Sequence, residues 1–198
     1  VEAENLWKTF EYFSGYGFNK SHAVGYSILS YQCAWLLNYH PAEWLAAFLN
    51  KEPESRKEKA ISVVKNLGYN IQEVNINLSG RNWEVSDSGE LVQPLTSIKG
   101  LGDKAMDQIL EHRPFNSIED LLFNEEISYS KLNKKCLDVL VRSGACDTIV
   151  DDRFKHCKHL WLSVIDNRPK NKKKLDENIK KFAVESDFTE EEKIENIV

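Results

Sequence analysis

In the stretch Ser97-Ile98-Lys99-Gly100-Leu101-Gly102-Asp103-Lys104-Ala105, two glycines flank one apolar residue, and a helical pattern begins directly after them. Glycine tolerates positive φ and places no side chain over the backbone, so a tight turn is expected here. Leu101 is expected to point inward and pin two helices together, and Ala105 to let them approach closely. The stretch therefore predicts two helices joined by a glycine turn, which we call the glycine elbow (residues 98–102).

The backbone of this elbow predicts a phosphate site. The N–H groups of Gly100 and Gly102 can point outward and join the free N–H groups of the next helix. Lys99 and Lys104 add positive charge, and Asp103 is expected to cap the second helix. This is the logic of a helix–hairpin–helix, which holds the nucleic-acid backbone without reading bases. An ordinary helix connection is the alternative interpretation.

A second, degenerate turn is expected at Ser143-Gly144-Ala145, which we call the second elbow. Lys131, Lys134 and Lys135 are expected to lie near it and to reach backbone phosphate. For each of these lysines an exposed position on a helix face is an equal alternative, and Arg113 is a weaker candidate. None of these groups is arranged to read base edges, so sequence-independent, salt-sensitive binding is expected. The predicted DNA-binding residues are Lys99, Gly100, Leu101, Gly102, Lys104, Lys131, Lys134 and Lys135.

Composition narrows the function classes. The formal net charge of −5 over 198 residues argues against a generally basic DNA-coating protein. The four cysteines lie far apart without a Cys-x-x-Cys pair, which favours a reduced cytoplasmic or nucleoid-associated protein. His156, Cys157 and His159 lack the second ligand pair of a zinc site, so no metal is expected. No apolar run is long enough to span a membrane, no signal peptide is recognisable, and no nucleophile–base motif appears.

Hydrophobic periodicity predicts a mainly α fold with a small antiparallel β patch at about residues 71–95. Helices are expected at about 1–14, 19–39, 41–50, 53–67, 131–142 and 151–166, with a break at Gly15-Tyr16-Gly17 and a left-handed cap at Gly68. The apolar positions of the second helix wrap widely, so we expect it to be largely buried. Residues 167–198 carry a basic run and then an acidic run, which predicts a charged tail, with a solvated helix face as the alternative. The acidic end is expected to fold back on the lysines.

Several segments, in the same order along the chain, resemble the C-family bacterial-type replicative DNA polymerases, the DNA polymerase III alpha subunits. The matches cover about residues 10–165. They include the fingers segment Gly15-Tyr16-Gly17-Phe18-Asn19-Lys20-Ser21-His22-Ala23, Asn75-Ile76-Asn77-Leu78-Ser79, the elbow, Pro114-Phe115-Asn116-Ser117-Ile118-Glu119-Asp120-Leu121, and Ser143-Gly144-Ala145-Cys146-Asp147.

The resemblance implies the C-terminal part of a fingers domain at residues 1–68, and a β patch with tandem helix–hairpin–helix elements at residues 69–166. In the family this fingers segment lies beside the incoming nucleotide, so Lys20 is expected to contact the dNTP triphosphate, with Asn19 and His22 as supporting hydrogen-bonders. A capped, solvated helix start, with Asn19 or Ser21 as the cap, is the alternative.

The resemblance also implies partners. The palm carboxylates that hold two Mg²⁺ ions in this family have no match here, so no catalytic residue is expected in this chain and it is expected to be inactive alone. Mg²⁺ is expected in a palm-bearing polymerase chain, and primer–template duplex DNA and dNTP are the expected ligands. The alternatives are a stand-alone helix–hairpin–helix module of repair or recombination, and a helical interaction domain without a nucleic-acid role.

Overall fold

The computed structural model describes residues 2–14, 19–128, 130–183 and 186–189. Packing divides the chain into two units, Val1–Leu45 and Ala46–Val198. The module boundary that the resemblance implies near residue 68 falls at a different point and stays a prediction. The expected break at Gly15-Tyr16-Gly17 lies outside the described residues.

The first unit is helical. Helix α1 spans Glu2–Ser14 and helix α2 spans Lys20–Tyr39, which confirms both predicted helices. Asn19 has extended backbone and its side chain accepts the Ser21 N–H at 3.1 Å, so it caps α2. The third helix, α3 (Pro41–Lys51), begins at Pro41, where a missing N–H does no harm.

Helix α2 is exposed, so the prediction that it is largely buried is wrong for this structure. No residue of α2 is buried, and Tyr26, Ile28 and Leu29 are each more than half exposed. A helix with apolar residues on several sides needs neighbours on several sides to bury them. The described part of this unit provides only α1 and the start of α3 besides α2 itself.

The second unit begins within α3, at Ala46, and continues with helix α4 (Glu54–Asn66), which buries Ala60 and Val64. Gly68 follows with φ +88°, which confirms the predicted left-handed cap. Val63 and Leu67 are about half exposed, so α4 buries only a narrow apolar face.

A three-stranded sheet lies in the predicted region, but it is mixed where the sequence predicted an antiparallel patch. The strands are β1 (Ile71–Gln72), β2 (Glu84–Val85) and β3 (Leu91–Val92), in the order β1-β3-β2. β2 and β3 form an antiparallel hairpin, whereas β1 pairs parallel with β3. β3 is therefore the central strand. It lies between β1 and β2, runs in the same direction as β1 and runs opposite to β2.

The core of the second unit is built by helices α5 to α9. Their bounds are Asp103–His112, Ile118–Phe123, Lys134–Arg142, Cys157–Trp161 and Lys172–Phe182. α7 begins later than predicted, where the Asn133 side chain accepts the Cys136 N–H. The predicted helix at 151–166 is shorter, beginning at Cys157 and continuing into a π-helical turn at Leu162–Asp166. The buried side chains of these helices and of the glycine elbow form one cluster.

Much of the segment expected to be a charged tail forms helix α9, which packs on the core as far as Phe182. Leu175 and Ile179 of α9 are buried in the core, and Asn178 donates to the carbonyls of Ser163 and Asn167. The lysines at the start of α9 are therefore the exposed side of an amphipathic helix.

The described part of the acidic end contacts α7 and α8, whereas the sequence predicted a contact with the lysine run. The Lys158 N–H donates to Asp187 Oδ1 at 3.1 Å, and the Phe188 ring packs against Trp161 and beneath Arg142. Residues 184, 185 and 190–198 lie outside the described residues.

Candidate nucleic-acid interface

The glycine elbow has the predicted turn. Gly100 has φ +88°, a left-handed conformation that side chains disfavour. The Leu101 N–H closes the turn on the Ile98 carbonyl at 3.2 Å. The Leu101 side chain is 7% exposed and Ala105 is 1% exposed, so both pack into the core as predicted. Leu101, predicted among the DNA-binding residues, is thus placed to shape the elbow and turned away from solvent.

Several backbone donors of the elbow are left for a ligand. Within the described residues, the N–H groups of Gly100, Gly102, Asp103 and Lys104 donate no hydrogen bond, and all four residues are exposed. The last two belong to the first turn of α5, where helix N–H groups lack intrahelical partners and the helix dipole is positive. A phosphate oxygen placed here would accept from the elbow and the helix together.

The two glycines do different work. A Cβ on Gly100 would lie 3.5 Å from Val139 Cγ1 and 3.7 Å from Lys135 Cε, which is ordinary contact, so Gly100 is needed for its φ. Gly102 has φ −80° and ψ 158°, which any residue can adopt, and its Cβ position faces open space. Positive φ is therefore not the reason for Gly102; the missing side chain leaves the elbow amides uncovered.

The first helix of the expected pair is only a single 3₁₀ turn, Leu95–Ser97. Ile98 follows it in extended conformation, with its N–H donating to the Leu95 carbonyl at 3.1 Å. The helix dipole at the elbow therefore comes from the ten-residue helix α5, which follows the turn.

The predicted lysines divide into two groups. Lys99 is exposed on the elbow and Lys104 on the first turn of α5. Lys135, predicted near the second elbow, instead reaches the first elbow from α7. Lys131 is exposed in the turn before α7. Lys134 pairs with Asp166 Oδ1 at 3.4 Å, which holds part of its charge away from the elbow.

Asp103 does not cap α5, contrary to the prediction. The N-cap is Gly102, which has no side-chain bond to give, and the Asp103 carboxylate instead pairs with Arg81 Nη1 at 3.0 Å. The second guanidinium nitrogen donates to the Asp103 carbonyl and to Asp107 Oδ1. Sequence reasoning missed Arg81 because it stands over twenty residues before its partners, in a loop without periodicity.

The Asn75–Ser79 segment, which carries part of the family resemblance, is structural. Asn77 donates to the Phe115 carbonyl and accepts the Phe115 N–H, each at 2.8 Å. The Ser79 hydroxyl donates to the Gln93 carbonyl at 2.6 Å. Arg113 donates to the Ser79 carbonyl at 3.0 Å, so this candidate cation braces the same loop.

The second elbow offers less to a phosphate than the first. Gly144 has φ +78°, but its N–H donates to the Val141 carbonyl at 3.2 Å. Asp147 Oδ2 lies 3.2 Å from the position of a Cβ on Gly144, which sets a carboxylate beside the turn. Desolvation, with a smaller contribution from Glu73, raises the pKa of Asp147.

The residues predicted to contact nucleotide lie at the start of α2. Asn19 Oδ1 accepts from both the backbone and the hydroxyl of Ser21, as the capping alternative proposed. Lys20 is exposed, and the His22 ring packs on Tyr26 with centroids 4.3 Å apart.

No group of three or more His, Cys, Asp or Glu side chains suited to a metal occurs among the described residues. His159 is fully buried; its Nδ1 accepts the Lys155 N–H, and its Nε2 lies 2.8 Å from the Ile179 carbonyl, so the Nε2–H tautomer satisfies both contacts. Burial raises the pKa of the Cys146 thiol to about 12, which leaves it unreactive. Within the described ranges, no helix combines the length and apolarity of a membrane span.

Comparisons with known proteins agree with this geometry. A family model described as a helix-hairpin-helix motif matches residues 68–156. The chain is 34% identical over 187 residues to the DNA polymerase III subunit alpha of Buchnera aphidicola, covering 92% of this chain and 16% of that protein. It is 35% identical over 193 residues to the same subunit of Borreliella burgdorferi, covering 93% of this chain and 16% of the relative. The Pseudomonas aeruginosa subunit is 34% identical over 173 residues, 84% of this chain and 14% of that subunit. The chain thus spans about one sixth of the length of the curated relatives it matches.

Proposed function

This chain is a homologue of one segment of the DNA polymerase III alpha subunit, and from that relationship we propose that it binds duplex DNA as part of a replicative DNA polymerase. The elbow holds the sugar–phosphate backbone of the primer–template duplex without regard to sequence. Nucleotidyl transfer requires a palm-bearing polymerase chain.

The observation that carries the proposal is the set of open backbone donors at the elbow. Exposed N–H groups without an intramolecular acceptor lie at Gly100, Gly102 and the start of α5, and Lys99 and Lys135 bring positive charge to the same turn. Backbone amides and lysines bind phosphate oxygens and carry no base information. The net charge of −5 is compatible with this role because the contact is local.

The start of α2 is the proposed dNTP-facing element. Lys20 is exposed beside the positive end of a 20-residue helix, so its ammonium and the helix dipole favour the same anion. Asn19 maintains this end by capping it, and His22, stacked on Tyr26, is a supporting hydrogen-bonder. These roles rest on the family resemblance of the segment.

Among the described residues, no cluster of carboxylates suited to two Mg²⁺ ions occurs. From the resemblance to the polymerase family, we propose that this chain supplies binding and orientation and that the palm-bearing partner holds the metal site.

A stand-alone helix–hairpin–helix DNA-binding module is the second candidate. It is favoured by one observation: the elbow, α5 and α7 share a single core cluster within the second unit. Such a module would bind duplex DNA equally well with or without nucleotide and would not stimulate primer extension.

Duplex binding by the elbow is tested by fluorescence anisotropy with a short labelled duplex at about 50 and 200 mM salt. Gly100→Val forces a β-branched residue into positive φ, so affinity should fall about tenfold or more. Gly89→Val is the matched control, because Gly89 has φ +81° in the β2–β3 turn. Equal loss in both variants, or no loss at Gly100, would contradict phosphate binding by the elbow.

The polymerase role is tested by primer extension with this chain added to a palm-bearing chain of the same family. We expect the mixture to extend primer, and Lys20→Ala to raise the KM for dNTP while leaving duplex affinity unchanged. If the mixture gains no activity while duplex binding is intact, the stand-alone module is the correct interpretation.

A further inference from the structure

We propose that Arg81 is the positioning residue of the elbow: it braces both sides of the turn and masks the two carboxylates that would repel DNA phosphate. This proposal rests on the proposed DNA binding and adds a residue that the sequence resemblance did not indicate.

The backbone around Arg81 holds the entry to the elbow. The Thr96 hydroxyl donates to the Arg81 carbonyl at 2.8 Å, and the Leu95 N–H donates to the Gly80 carbonyl at 2.8 Å. Leu95 and Thr96 belong to the 3₁₀ turn that leads into the elbow. The entry turn is thereby fastened to the same loop that carries the guanidinium.

The side chain of Arg81 holds the exit from the elbow. Its guanidinium contacts Asp103 Oδ1 at 3.0 Å, the Asp103 carbonyl at 3.2 Å, and Asp107 Oδ1. Asp103 and Asp107 stand one turn apart at the start of α5. One residue therefore ties the 3₁₀ turn to α5 across the elbow, which fixes the angle at which the free amides face solvent.

The charges give the brace a second effect. Asp103 directly follows Gly102 and its side chain is 84% exposed, so an unpaired carboxylate there would face an incoming phosphate. Two like charges within a Debye length of about 10 Å at 0.1 M salt repel measurably. Hydrogen bonding, led by Asp107, raises the pKa of Arg81, so the guanidinium stays charged throughout the accessible pH range.

The test is a charge-rescue cycle on the full chain, with duplex affinity and its salt dependence as readouts. Arg81→Gln should weaken binding about three- to tenfold at low salt, since it exposes two negative charges beside the site. Adding Asp103→Asn and Asp107→Asn to Arg81→Gln should recover part of the lost affinity, because the repulsion is removed while the brace is still absent. Arg56→Gln is the matched control. Arg56 lies on α4, its side chain is 67% exposed, and it pairs with Glu52 in the connection before that helix, so its loss should change affinity less than twofold.

The outcomes are distinct. Unchanged affinity in Arg81→Gln overturns the proposal, and so does a folded triple variant that stays as weak as Arg81→Gln, because the effect would then not come from the carboxylates. If Arg81→Gln fails to fold by circular dichroism, Arg81→Lys replaces it. It should bind at an intermediate affinity, since a single ammonium nitrogen cannot reproduce the planar fork by which two guanidinium nitrogens reach Asp103 and Asp107. Wild-type affinity in that variant would overturn the brace. Failure of the wild-type chain to bind duplex at all would reject the proposed DNA binding itself.

Discussion

The side-chain amide of Asn77 and the backbone of Phe115 form a closed pair of hydrogen bonds, each 2.8 Å long. Phe115 is 2% exposed, so its backbone N–H and carbonyl have little access to water. We expect Asn77→Ala to lower the free energy of unfolding by about 2–3 kcal/mol, because a buried N–H and a buried carbonyl lose their partners.

Urea unfolding followed by circular dichroism measures this change. Asn70→Ala is the control, since the exposed Asn70 amide reaches only Glu90 at 3.4 Å. A loss at Asn77 no larger than that at Asn70 would show that the pair contributes little.

Lys135 and Lys134 are neighbours with different surroundings. Lys135 lies beside Gly100, whereas Lys134 pairs with Asp166. We expect Lys135→Ala to weaken duplex binding several-fold and to reduce the slope of log K against log salt by about one contact, and Lys134→Ala to have a smaller effect. Anisotropy titrations over a salt series give both quantities, and equal slopes for the two variants would refute the difference.

Asp147 is expected to destabilise the folded chain at neutral pH. Desolvation raises the folded pKa of Asp147 above the ordinary value of 3.8, so the folded state holds the proton more tightly than the unfolded state does. A raised carboxyl pKa lowers stability at pH values above the folded pKa, and the penalty disappears as pH falls below 3.8. Asp147→Asn should therefore be more stable than the wild type at pH 7, with the gap closing toward pH 3; thermal melts across pH measure it, and a gap that widens on acidification would oppose this assignment.

The cysteines should differ in reactivity. Cys33 is exposed on α2, whereas Cys136 and Cys146 are buried and the pKa of Cys146 is raised to about 12. Only thiolate reacts with Ellman's reagent, so at pH 8 Cys33 should react rapidly, and Cys146 only after unfolding in urea. Peptide mapping after brief alkylation identifies the modified thiol, and labelling of Cys146 in the native protein would contradict the buried position.

Local chemistry made the elbow predictable. A glycine at positive φ, an inward leucine and a close-packed alanine act within nine residues, and Gly100, Leu101 and Ala105 are placed as expected. Arg81 could not be predicted in the same way. Its role depends on a loop that folds back against α5, where Arg81 contacts Asp103, a residue 22 positions later in the sequence.

The sequence was misleading where burial depends on neighbours. The apolar residues of α2 predicted a buried helix, yet the pattern of one helix says nothing about what covers it. The lysine run at 170–174 predicted a tail, because charge dominated the composition; Leu175 and Ile179, spaced four residues apart, were the signal for a packed helix. The parallel pairing of β1 with β3 depends on topology, which two-residue strands do not reveal.

The open sides of α2 have a consequence for handling the free chain. The aromatic and aliphatic side chains of Tyr31, Trp35 and Leu29 are exposed to water. Each square ångström of their apolar surface that another surface covers lowers the free energy by about 25 cal/mol. Raising the concentration of the isolated chain therefore favours self-association through this helix. These side chains, and not unfolding of the second unit, are expected to limit its solubility.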